Sequence, residues 1–223
     1  MLPHELVATA RVPGHSAELR CYRHDGAYAI WLDRVELMST RVHGSEQMLA
    51  ELALERLGAR AAPRILVGGL GMGFTLARVL ALVDAEAVVD VVELVPAIVD
   101  WNRDLFGACA GHPLRDPRTH LIVADVGAVV RAANDRYDAI LLDVDNGPEG
   151  LSRPQNDQLY GERGMVELRR ALREGGVLAV WSSADHPAFD RRLRRGGFDV
   201  EQHRVRARRT KGPRRTIWVA RRK

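Results

Sequence analysis

Lysine is almost missing from this chain: only Lys211 and Lys223 occur among 33 basic residues, and arginine carries the rest of the positive charge. That bias points to codon composition as much as to function, which weakens a nucleic-acid reading of the basic residues. Cysteine is equally sparse, and Cys21 and Cys109 are too isolated for a disulfide framework or a zinc site. His43, His112, His120 and His186 show no ligand spacing, so no metal is expected. No stretch approaches the roughly 20 uninterrupted apolar residues of a membrane span. The start, Met1-Leu2-Pro3-His4-Glu5-Leu6, lacks a basic region followed by an apolar run. A cytoplasmic protein without membrane contact is the expectation.

What is present is a globular balance, 46% hydrophobic and 28% charged over 223 residues, enough for one well-cored domain with a small appendage. The net charge of +4 hides an asymmetry, because no acid follows Arg204 while ten basic residues do or coincide with it. Such a tail can meet a phosphate backbone. Stacking aromatics are absent there apart from Trp218, so nucleic acid is the weaker partner and a small molecule the stronger.

The first forty residues read as strands. Ala17 to Arg23 and Ala27 to Leu32 flank the hairpin turn His24-Asp25-Gly26, and Asp33-Arg34 leads into Val35-Glu36-Leu37-Met38. Ser45 to Leu57 has helical spacing and closes at Gly58. Strand and helix then alternate. Apolar strands are expected at 64–67, 87–94, 120–124, 138–142 and 177–181, with a helix ending at Gly175-Gly176 and a hairpin near 199–208 and 215–220. Continuous apolar strands belong to a sheet covered on both faces. The expected fold is α/β: a doubly wound, Rossmann-like sheet of the class I AdoMet-dependent methyltransferase type, ending in an antiparallel hairpin. Residues 1–44 would form the β appendage and 45–223 the transferase domain.

In such a sheet, ligands bind beyond the carboxyl ends of the strands. The first strand ends in Gly68-Gly69-Leu70-Gly71-Met72-Gly73-Phe74. Glycines at 69, 71 and 73 do not fit the dinucleotide spacing, which would need glycine at Phe74 or Leu76, and suit an adenosyl-sulfonium site better. After the second strand, Glu93 is placed to accept from both ribose hydroxyls. After the third, Asp125 and the Val126 backbone are placed for the adenine, and Asp125 also suits a helix N-cap. After the fourth come Asp143-Val144-Asp145-Asn146-Gly147-Pro148. An alkyl ammonium, with a pKa near about 10.4, must lose a proton before attacking a sulfonium carbon. Asp143, directly after the apolar strand, is the better catalytic candidate, and Asp145 is the second or a turn former.

These residues resemble the spermidine synthase (polyamine aminopropyltransferase) family and its methyltransferase-like relatives. The resemblance runs from Trp31-Leu32-Asp33 through the glycine loop, Glu93-Leu94-Val95-Pro96, Asp116-Pro117-Arg118 and Asp125 to Asp143 and about Trp181. It implies that Glu93 binds ribose, Asp125 adenine, and that Asp143 is the catalytic acid. The segment from Asn146 to Gly164, which holds Tyr160, falls on the family's active-site gate. The resemblance also implies a homodimer and a donor that is S-adenosylmethionine (AdoMet) or its decarboxylated form.

Departures narrow the reading. The family's aminopropyltransferases carry an Asp in the loop for the donor's free ammonium, and Gly71 stands there. Their second acid is Asn146 here. Their acidic and tyrosine-bearing cluster before the first domain helix is Arg41-Val42-His43-Gly44-Ser45-Glu46-Gln47, with Ser45 at the tyrosine. His43, Ser45 and Glu46 could replace that cluster, or Ser45 and Glu46 could begin a capped helix; Arg41 could hold a carboxylate or a surface ion pair. Val67 stands where many methyltransferases carry an acid. Methyl transfer to a small molecule is the leading expectation, aminopropyl transfer the second. The third is a non-catalytic binder of adenosyl compounds, polyamine or RNA.

Overall fold

Strand pairing begins earlier in the chain than its apolar pattern marks. The computed structural model describes residues 4–14, 17–144, 147–148, 158–208 and 210–223. In it β1 (Glu5–Arg11) precedes β2 (Glu18–His24), β3 (Ala27–Leu32) and β4 (Val35–Ser39) in an antiparallel sheet of sequential order. β1 is mostly exposed or half-buried, so it lacks the apolar run that marks a strand in sequence. It is held by its pairing with β2.

The second sheet has the order β10-β11-β9-β8-β5-β6-β7. Its strands are β5 (Arg64–Gly68), β6 (Val88–Glu93), β7 (Thr119–Val123), β8 (Tyr137–Leu142), β9 (Leu172–Ser182), β10 (Phe198–Arg208) and β11 (Lys211–Arg222). The run from β7 to β9 is parallel, and β11 joins β9 and β10 antiparallel. Strand order reverses between β5 and β8, which is where a doubly wound sheet opens its ligand crevice.

Alternate residues of these strands enter opposite cores. Ile65, Val67, Val89, Val91 and Leu141 face the core of α1 (Gly44–Leu57), α2 (Phe74–Leu82) and α3 (Pro96–Asp104). Leu66, Val92, Ile140 and Leu142 face the core of α4 (Val126–Ala132), α5 (Glu162–Ala171) and α6 (Pro187–Arg195). Leu19, Cys21 and Ile30 of the first sheet join the former core, so both sheets share one apolar interior.

Two expectations need correcting. Gly175-Gly176 does not close a helix, because α5 ends at Ala171 and β9 starts at Leu172. The glycine pair lies inside β9, where the register against β8 breaks between Tyr137 and Ala139, as at a bulge. The second strand of the hairpin, expected near 215–220, is also longer, with β11 beginning at Lys211 and ending at Arg222.

At the end of the sheet opposite the crevice, Asp90 is 1% exposed. It takes hydrogen bonds from Arg64 (3.1 Å), Arg136 (3.2 Å) and the Tyr137 hydroxyl (3.0 Å), with His120 at 3.4 Å. Burial opposes its ionisation, but the Arg64, Tyr137 and Arg136 bonds outweigh burial and hold the carboxyl below its usual range. Asp90→Asn is expected to cost about 2–3 kcal/mol, since it removes the buried charge that accepts hydrogen bonds from part-exposed Arg64 and Arg136 and from the Tyr137 hydroxyl. The stabilisation exists above the unfolded carboxylate's pKa and is lost as pH falls through the lower folded value. Urea unfolding at pH 7 and in acid checks this: the gap between wild type and variant should close in acid.

Candidate active site

The crevice at the strand reversal has two compartments that share Met38, Gly71 and Asp143. One is bounded by the glycine loop and the ends of β6 and β7. The other lies under β4 and the start of α1, with β9 and β11 on its far wall. Asp143, one residue beyond β8, therefore stands where two ligands would meet.

The first compartment is built around Glu93. Its carboxylate is buried and accepts the backbone N–H groups of Leu70 (3.0 Å) and Val95 (2.8 Å). Burial pushes its pKa up against these donors. Glu93 thus ties the glycine loop to β6, with the Gly71 and Leu94 backbone also favouring its charged form. Asp125 caps α4, accepting the Ala128 N–H at 2.8 Å, and lines the same compartment together with Val126. The two roles weighed for Asp125 are compatible, because the cap engages one oxygen. Apolar Val95 and Ile98 complete a wall that suits a flat, partly apolar adenosyl group.

The loop itself approaches the end of β8 closely. Gly69 has φ +89°, and a Cβ there would lie 2.3 Å from the Asp143 carbonyl oxygen. Gly71 (φ +50°) faces Met38, whose Sδ would be 3.3 Å from an added Cβ. Gly73 stands at the N-cap of α2.

The second compartment gathers Asp143, Glu46, Ser45 and Thr75. Thr75 Oγ1 donates to Asp143 Oδ2 at 2.6 Å, and Ser45 Oγ donates to Glu46 Oε2 at 2.7 Å. Burial, then repulsion from Glu46, pushes the Asp143 carboxyl up to about 7, against the Thr75 hydrogen bond. Burial likewise raises Glu46, opposed by Ser45. Two such carboxylates lose a proton more readily when a cation enters, and one can then accept that cation's proton.

Other expected residues are placed differently. The His43 ring stacks on Phe74 at 3.9 Å between centroids, and its Nδ1 lies 3.1 Å from the Thr40 carbonyl, the geometry of an N–H donated to that carbonyl. It lines neither compartment, and burial lowers its pKa. His43 is also the N-cap of α1 but caps without its side chain, so Ser45 is not the helix cap. Tyr160 is buried edge-on against Phe189, in the core under α5 and α6 and away from both compartments. Arg41 pairs with exposed Asp25 at 3.2 Å. Asp145 and Asn146 lie outside the described residues. In the C-terminal hairpin, Arg204 pairs with Asp185 and Arg222 with Asp135, so part of the basic tail is internally matched.

Three residues were missed. Thr75 sits in the first turn of α2, directly after the glycine loop, where its position was the available signal. Trp181 and Arg215 meet across β9 and β11, the guanidinium 5.5 Å over the indole ring, and both line the second compartment. Nothing local in the sequence separates Arg215 from the other arginines of its basic run.

A model of the spermine/spermidine synthase domain matches residues 43–193. The chain belongs to that family. Within the family's curated proteins it is 35% identical over 118 residues to putrescine N-methyltransferase 2 of Nicotiana attenuata, covering 52% of this chain and 30% of that protein. It is 29% identical over 123 residues to the polyamine aminopropyltransferase of Korarchaeum cryptofilum, covering 55% of this chain and 36% of that one. The matched region thus spans about a third of those relatives' lengths. Among solved structures, the spermidine synthase of Thermotoga maritima superposes with a TM-score of 0.74 at 17% identity, covering 98% of this chain and 73% of that one. A spermidine synthase in complex with the transition-state analogue AdoDATO superposes with a TM-score of 0.77, also at 17% identity, covering 98% and 74%. These likenesses establish the class I methyltransferase-like fold of the spermidine synthases.

Proposed function

We propose that this chain is a methyltransferase that uses AdoMet as donor and a small amine as acceptor. The observation that carries this reading is at Gly71, where the family's aminopropyltransferases hold the donor's ammonium with an aspartate. A side chain there would have to adopt φ +50° and move the Met38 thioether, whose Sδ lies 3.3 Å from an added Cβ. The start of α2 points the same way. Gly73 supplies no side-chain cap and the first turn holds no acid, which leaves helix N–H groups to meet a carboxylate. AdoMet has that carboxylate and its decarboxylated form does not.

Bound in the first compartment, the donor supplies an electrophilic methyl group on a sulfonium. The chain's own residues do the rest. Glu93 and Asp125 hold the nucleoside against the glycine loop. Glu46 and Asp143 draw an ammonium to the junction of the compartments, and Asp143 removes its proton so that the nitrogen lone pair can attack. The C–S bond breaks as the N–C bond forms, and its electron pair stays on sulfur. The likeness in sequence to putrescine N-methyltransferases and to a polyamine aminopropyltransferase supports transfer from an AdoMet-type donor to an amine.

Calorimetric titration with AdoMet and with decarboxylated AdoMet tests the donor. AdoMet is expected to bind at least about tenfold more tightly, a difference of roughly 1.4 kcal/mol. A preference for the decarboxylated donor would restore aminopropyl transfer. Failure of both to bind at micromolar levels would favour a non-catalytic relative.

A further inference from the structure

The second compartment contains a cation that a diamine site has no use for. Arg215 projects from β11, lines the same cavity as Asp143 and Glu46, and lies over the Trp181 ring at 5.5 Å. Cation–π contact of this kind fixes a guanidinium without neutralising it. Among the described residues the Arg215 side chain has no ion pair or hydrogen bond, whereas Arg204 and Arg222 of the same hairpin are each paired with an aspartate. Its charge is felt at Glu46, though the two make no ion pair. The cavity therefore has an acidic floor at Asp143 and Glu46, a further carboxylate at exposed Glu36 on β4, and on its far wall the half-buried Arg215 guanidinium, which no acid among the described residues pairs. A planar guanidinium is suited to a carboxylate, which it can grip with two parallel N–H bonds.

We infer that the acceptor is a zwitterion, an amine that also carries a carboxylate, with its ammonium at Asp143 and Glu46 and its carboxylate at Arg215. This rests on the transfer reading for the amine end and adds the anionic end. A diamine of similar length would place its second ammonium against Arg215, a like-charge contact that selects against it. Arg215 is thus a specificity residue that takes no proton itself.

The test compares three four-carbon probes that differ only at one end: 4-aminobutanoate, 1,4-diaminobutane and n-butylamine. Each is titrated into the full chain saturated with S-adenosylhomocysteine, for the wild type, Arg215→Glu and Arg215→Lys. The wild type is expected to bind 4-aminobutanoate at least about tenfold more tightly than 1,4-diaminobutane, the combined scale of one charge attraction gained and one like-charge contact avoided at a partly solvated wall. Arg215→Glu should reverse that order and Arg215→Lys should keep it, while donor affinity, read separately with AdoMet, reports that each variant is folded. A structural role for Arg215 would weaken all three probes alike. Tighter binding of the diamine to the wild type, an order unchanged by Arg215→Glu, or no binding of any probe overturns the zwitterion. Donor calorimetry judges the transfer reading independently of these outcomes.

Discussion

Asp143→Asn is expected to lower turnover by about a hundredfold to ten-thousandfold, the range of general-base contributions, and to make the protein more stable at pH 8. Both effects come from one cause. The Asp143 carboxyl is pushed from the usual 3.8 to about 7 by burial and by Glu46. Between those values the native state holds a proton that the unfolded chain has released. Stability therefore falls as pH rises through that window. Asparagine carries no charge to desolvate and can still accept from Thr75 Oγ1, so the variant escapes the loss. Its advantage should be absent below about pH 4 and complete above about pH 7. It should reach on the order of 2–4 kcal/mol, since each tenfold change in proton affinity is worth about 1.4 kcal/mol. Chemical denaturation at pH 4 and pH 8 reads the sign. In the wild type, kcat/KM should rise as Asp143 ionises near pH 7. Donor affinity should be nearly unchanged, because Glu93 and the loop remain. Turnover that survives would remove Asp143 from the proton transfer, and equal stability at pH 8 would contradict its buried charge.

That trade between stability and chemistry was partly legible in the sequence. Asp143 could be singled out because it ends an apolar strand in the run of alternating strands and helices, and the crevice of such a sheet lies at its strand ends. Glu93 and Asp125 were legible for the same reason, and the structure sets both beside the glycine loop. What the sequence hid was whatever depended on convergence from separate elements. Thr75 reaches Asp143 across 68 positions, and Arg215 reaches the cavity only because β11 inserts between β9 and β10. Tyr160 shows the converse. It falls in a segment that resembles an active-site gate, yet its ring completes the core against Phe189. Gly175-Gly176 reads as a helix stop by composition, yet it lies inside β9, in the break between the two stretches that pair with β8.

Gly69→Ala should be among the most damaging single-methyl changes in the chain, costing about 4 kcal/mol or more. The backbone there is sewn to strands on both sides. Gly69 N–H donates to the Val92 carbonyl at 2.8 Å, and Asp143 N–H donates to the Gly68 carbonyl at 2.8 Å. With φ at +89°, an added Cβ would stand 2.3 Å from the Asp143 carbonyl oxygen and 3.0 Å from its carbon. The obstacle is backbone, so no rotamer change relieves it. Either the loop leaves β6 and releases Glu93 from Leu70, or β8 shifts and carries Asp143 with it. Gly71→Ala is the control. Its methyl would meet the flexible Met38 thioether at 3.3 Å, and φ is +50°, so a loss of about 1–2 kcal/mol is expected. For a chain of this size the first change should lower Tm by about 8–16 °C and the second by about 2–8 °C. Thermal unfolding measures both, and AdoMet titration of whatever folds should show the larger affinity loss at position 69. Equal losses at the two positions would mean that the loop is free of β8, and that donor and base are not held together by this contact.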